Sequence, residues 1–142
     1  MPTKPKDVLL QGAELLRPLL SAHGFAFELL GEGRGSGGEF AYAEFRKGER
    51  RIEFHFRYDL GMVTYHLGPD SLSHEQYMLS VLEQPGLSRY PGFSADPLDA
   101  FRDLAGDLQA YCGEFLEGTN EELRSRIENS RRRWANRPRL PP

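Results

Sequence analysis

A lone cysteine, Cys112, in a chain of 142 residues leaves nothing to close an internal disulfide and no thiolate cluster for zinc. That usage fits a reducing compartment. No apolar run comes near the roughly 20 residues that a membrane span needs, and the opening MPTKPKDVLLQG lacks the apolar stretch of a secretory signal. A cytoplasmic protein with no membrane partner is therefore expected. Also missing are HExxH and HxH spacings, a GxSxG elbow, and the Lys and Ser/Thr of a P-loop. The sequence assigns no catalytic residue, no metal ligand and no cofactor, and an enzyme is the less favoured class.

Hydrophobic residues make up 39% of the chain and charged ones 27%, with nine Phe, six Tyr and one Trp, so the composition is globular and supplies bulky core material. A chain of this length suits one domain that buries roughly two-thirds of its unfolded surface. Residues 1–135 are assigned to it, and 136–142, NRPRLPP, to a loose proline- and arginine-rich tail. The net charge of −3 conceals an asymmetry: residues 119–142 carry seven Arg against three Glu, leaving the remainder at −7.

The apolar periodicity predicts an α+β fold, a four-stranded antiparallel meander packed with an N-terminal helix and two or three C-terminal helices. Val8, Leu9, Ala13, Leu16, Leu19 and Leu20 recur at helical spacing over 7–22, and Gly24 suits the C-cap. Alternation then marks strands at 25–30, 39–47, 51–58 and 62–67. The glycine-rich run 31–38 reads as a flexible hairpin loop. Ser73 with Gln76 forms a capping box for a helix to about Leu82, before an irregular loop over 83–95. Asp96-Pro97 starts a long core helix running to Leu116, and Thr119 with Glu122 caps a last helix with Glu122–Arg126 and Glu128–Arg132 ion pairs. The small-residue stripe Gly106, Ala110, Gly113 suggests close approach of a neighbouring helix or of a second copy in a homodimer.

Turn placement yields a candidate site. A turn at Gly48-Glu49 sets Tyr42 opposite His55 and Glu44 opposite Glu53, the latter a like-charge pair that needs a cation beside it. A turn at Leu60-Gly61 sets Phe56 opposite Tyr65, His55 opposite His66 and Arg57 opposite Thr64. Tyr42, His55, Arg57 and His66 therefore form the expected ligand- or partner-binding row, flanked by Glu44 and Glu53, with at least one histidine titrating low unless one of these acids compensates. His74 is read as a packing residue that approaches His66, and Cys112 as an inert buried thiol.

No family is identified from these motifs. The leading expectation is a non-enzymatic domain that binds another protein, of the bacterial immunity or regulatory accessory kind, a loose likeness resting only on size and helix-sheet-helix order. The alternatives are a small ligand-binding protein or enzyme that uses the Tyr/His row, and nucleic-acid binding through the arginine-rich C-terminal helix. The acidic remainder of the chain makes nucleic acid the weakest of the three.

Overall fold

A computed structural model of the chain describes residues 4–35, 38–82, 90 and 95–136. The tip of the glycine-rich run, most of the 83–95 loop and the tail beyond Asn136 lie outside the described residues. Helix α1 (Pro5–Ala22) leads into strands β1 (Ala26–Gly35), β2 (Gly38–Lys47), β3 (Arg50–Phe56), β4 (Leu60–Leu67) and β5 (Asp70–Ser73). Helices α2 (His74–Val81), α3 (Leu98–Tyr111), α4 (Gly113–Leu116) and α5 (Asn120–Ala135) follow. The sheet is antiparallel with its strands in chain order, as short connections dictate.

The meander has five strands, one more than the sequence predicts. Asp70–Ser73 is too short to show its own alternation, yet Leu72 pairs with Tyr65 and is buried. The glycine-rich run is also not a loop through its length, because residues 31–35 pair with 38–42 and extend the first hairpin to Gly35 and Gly38.

One face of the sheet holds the core. Ala41, Ala43, Phe45, Ile52, Phe54, Phe56, Val63, Tyr65, Leu67 and Leu72 are all buried there, the period of two that a half-buried strand requires. Phe101 of α3 meets Phe54 edge-on at 6.1 Å and stacks on Phe56 at 6.1 Å, as expected of a core helix. Helix α1 comes so close to α3 that a Cβ on Gly12 would lie 2.5 Å from the Phe101 ring. The close-approach glycine is thus Gly12, while Ala110 and Gly113 of the predicted stripe face solvent.

The long C-terminal core helix breaks at Cys112. Two cations of the β2–β3 hairpin hold carbonyls at the ends of α4 and α1: Arg50 donates to Phe115 O at 3.0 Å, Glu114 O at 3.2 Å and Gly118 O, and Lys47 Nζ donates to Leu116 O at 3.3 Å and to His23 O at 3.0 Å. Helix ends leave such acceptors unsatisfied unless a donor arrives. Both capping boxes form as predicted, and Asp96 Oδ1 accepts from Leu98 N at 2.9 Å.

Arg126 does not pair with Glu122. It grips Glu114 with two bonds of 2.8 and 3.0 Å, because Glu122 is engaged in the cap. Arg131 donates to Ser71 O and Arg133 to Ser80 O, so these C-terminal arginines fasten α5 to β5 and α2. Among the described residues no helix is long and apolar enough to cross a membrane.

Candidate binding face of the sheet

Because the buried side chains of β2, β3 and β4 alternate toward the helices, the residues between them form the opposite face. Tyr42 and His55 pair across β2 and β3 as predicted, and their rings stack at 5.1 Å with planes 9° apart. Phe40 continues the row, stacked on Tyr42 at 6.3 Å, and the Arg57 guanidinium lies 5.6 Å from the Phe40 centroid. Glycines of β1 give these rings their seats. A Cβ on Gly33 would fall 2.8 Å from Phe40, and one on Gly31 would fall 3.0 Å from Tyr42, so aromatic rings cover strand positions that carry no side chain. This is a structural use for the glycine-rich run.

His55 does not face His66. The β3–β4 register slides by four residues from the prediction up to Phe54, with Ile52 opposite Tyr65, Phe54 opposite Val63 and His66 opposite Arg51, and by one more beyond the bulge, where Phe56 meets Leu60. The physical reason is burial. Placing Leu60 in the turn would expose it, whereas the observed turn spends the polar stretch Arg57–Asp59 on solvent and leaves Leu60 5% exposed. Tyr58, predicted to be inward-facing opposite Val63, is 79% exposed, and Arg57 falls in the turn and not opposite Thr64. A slip by an even number preserves which face each residue occupies, so the predicted row keeps its face while its pairings change.

Glu53 joins the two histidines instead. His55 Nε2 lies 2.8 Å from Glu53 Oε2, and His66 Nε2 lies 3.1 Å from Oε1. Burial pushes the Glu53 carboxyl up, but the two imidazoles, His55 foremost, outweigh it and hold it below its ordinary value. Burial and then Arg51 hold His66 below its own ordinary value. The cation required beside the Glu44–Glu53 pair is also present: Arg51 Nη1 bonds Glu44 Oε1 at 2.9 Å. Arg46 Nε lies 3.1 Å from Glu44 Oε2 without hydrogen-bond alignment, so that buried oxygen keeps only an ion-pair contact.

The row ends at the β3–β4 corner, where a bulge sets Gly61 and Met62 against His55. Tyr58 in the turn and Met62 in β4 are 79% and 69% exposed. A depression of about 280 Å³ lies here, lined by Phe40, His55, Phe56, Arg57, Asp59 and Gly61. A second recess of about 410 Å³, on the other side of Gly61, is bordered by Met62, Val63, His74 and Tyr90. Phe40, Tyr58 and Met62 were missed as site residues, whereas Glu53 was expected to flank the row. Phe40 could have been found from its cross-strand glycine, but Tyr58 and Met62 become visible only with the correct turn.

His74 meets Tyr65 and Asp107, not His66. Tyr65 Oη lies 2.6 Å from His74 Nδ1, His74 Nε2 lies 3.0 Å from Asp107 Oδ2, and Tyr90 N donates to the same oxygen at 2.9 Å. A carboxylate only accepts, so His74 Nε2–H donates to Asp107, and Nδ1 shares a hydrogen bond with the Tyr65 hydroxyl. Cys112 Sγ, 3.7 Å from Tyr65 Oη, completes the chain. Burial raises the Tyr65 phenol well above its ordinary value and pushes the Cys112 thiol up to about 12. A neutral thiol with no solvent path is not a nucleophile, and the chain reads as a buried polar brace. Asp107, set among Leu104, Leu108 and Tyr111 on the apolar stripe of α3, was its signal in the sequence.

No three His, Cys, Asp or Glu side chains among the described residues are arranged to hold a metal ion. Comparison with protein-family models, curated proteins and solved structures gives no match. The functional reading therefore stands on the geometry of this chain.

Proposed function

We propose that this protein is a binding module that docks on another protein through the open face of its sheet, with Phe40, Tyr42, His55, Arg57, Tyr58 and Met62 as the contact surface. The observation that carries the reading is the row of stacked aromatic rings and an arginine at one depression, with the exposed Tyr58 in the adjoining turn and Met62 at the neighbouring recess. Aromatics, Met and Arg are the residues enriched where protein partners bury their contacts. The buried brace supports this corner from behind, since the Tyr90 hydroxyl donates to Leu60 O at 2.8 Å and to Gly61 O.

The test compares wild type with the Tyr58→Ser/Met62→Ser double variant as affinity baits in lysate of the encoding cell. Both side chains are exposed, so thermal melts of the two baits should coincide. A partner retained by wild type and lost by the variant is the expected result. Equal recovery of every partner by both baits would remove the corner from the interface.

A further inference from the structure

Arg57 differs from the other arginines of the sheet. Arg34 lies 3.8 Å from Glu39, Arg46 and Arg51 hold Glu44, and Arg50 holds the carbonyls of the α4 end. Among the described residues no carboxylate, hydroxyl or carbonyl bonds the Arg57 guanidinium, whose contact is the face of Phe40. It is half-buried and borders the 280 Å³ depression. A guanidinium resting on a ring keeps its in-plane N–H donors free, and their fork matches a carboxylate.

We infer that Arg57 and its aromatic seat receive a carboxylate side chain presented by the partner protein. This rests on the docking reading above and names the chemistry of the group that would enter the depression. The nearby acids do not block it. Glu53 is committed to His55 and His66, and Glu39 faces Arg34. Asp59 also lines the depression, but it is exposed, and burial first and then its charge raise the Tyr90 phenol on its other side. A single Glu or Asp fits better than a nucleic-acid backbone, because the depression offers the one cation Arg57 on a chain of net charge −3, which would not hold a polyanion.

The test uses two acetylated, amidated pentapeptides with one central Glu or one central Gln between leucines, plus a ten-nucleotide oligothymidylate, each titrated into 15N-labelled protein. The Glu peptide is expected to shift the Arg57 Nε–H, Phe40 and His55 signals and to bind about tenfold more tightly than its Gln twin, with the difference shrinking at high salt. Arg57→Gln should abolish that preference. Gly33→Val, which leaves every charge in place but crowds Phe40, should weaken it, and melts of both variants check that they fold. Equal binding of the two peptides at these residues would overturn the carboxylate inference and leave docking intact. No shift at this face with any peptide would count against both. Tighter binding of the oligonucleotide at the same residues would replace the carboxylate with a phosphate ligand.

Discussion

Phe54 sits in the middle strand with no exposed surface, between Phe45 and Phe101 at ring distances of 6.1 Å each. Phe54→Ala would leave a cavity bounded by two strands and a helix, none free to collapse, and should cost about 3 to 5 kcal/mol in denaturant melts. A near-neutral result would contradict its place in the core. His66 supplies a pH-dependent prediction. Its folded-state pKa lies below its ordinary value, so the unfolded chain takes the proton first as pH falls through about 6.5. Stability should therefore drop from that point until the folded-state value is passed, and His66→Gln should flatten this limb of the urea-melt curve. The contribution of Glu53, whose pKa is also depressed, belongs to a lower window and is lost as pH falls through its folded value. An unchanged limb in the variant would show that His66 is no less readily protonated in the fold than in the unfolded chain.

Among the elements, the β2–β3 hairpin does more than turn the chain. It carries Lys47 and Arg50 to the end of α4, where they bond carbonyls of α4 and of Gly118, and Lys47 also bonds the carbonyl of His23, just past α1. Arg50→Met should preserve much of the side-chain packing while removing those donors, at a cost of about 2 to 3 kcal/mol. Amide exchange should accelerate first at α4 and the start of α5; acceleration confined to the hairpin would contradict this account. The same hairpin shows what was legible in the sequence. Its register followed from alternation on both strands and a Gly-containing turn, so the Tyr42–His55 pair was found. The next hairpin was misread because a two-residue turn at Leu60-Gly61 also aligns apolar residues, and alternation alone does not distinguish registers that differ by an even number of residues. The burial of Leu60 and the hydrogen bond it accepts from Tyr90 fix the shorter strand. Both depend on residues distant in the chain. The break at Cys112 was hidden for the same reason, since Arg50 lies more than sixty residues earlier.

At the scale of the whole molecule, the helices pack on one face of the sheet and the described aromatic row lies on the other. That asymmetry could be read from alternation before any register was known, and for that reason Tyr42, His55, Arg57 and His66 were brought to one side. Their joining by Glu53, and the exposed corner at Tyr58 and Met62, could not be read, because both depend on the turn. The central claim is that a protein partner meets this face. Photo-crosslinking in the encoding cell tests it most directly, with benzoylphenylalanine placed singly at Tyr58, at Met62, at Gln109 on α3 and at Arg132 on α5, all exposed positions. The account predicts a discrete protein adduct from positions 58 and 62 and none from 109 or 132. Adducts from the helical positions with none from 58 or 62 would contradict it.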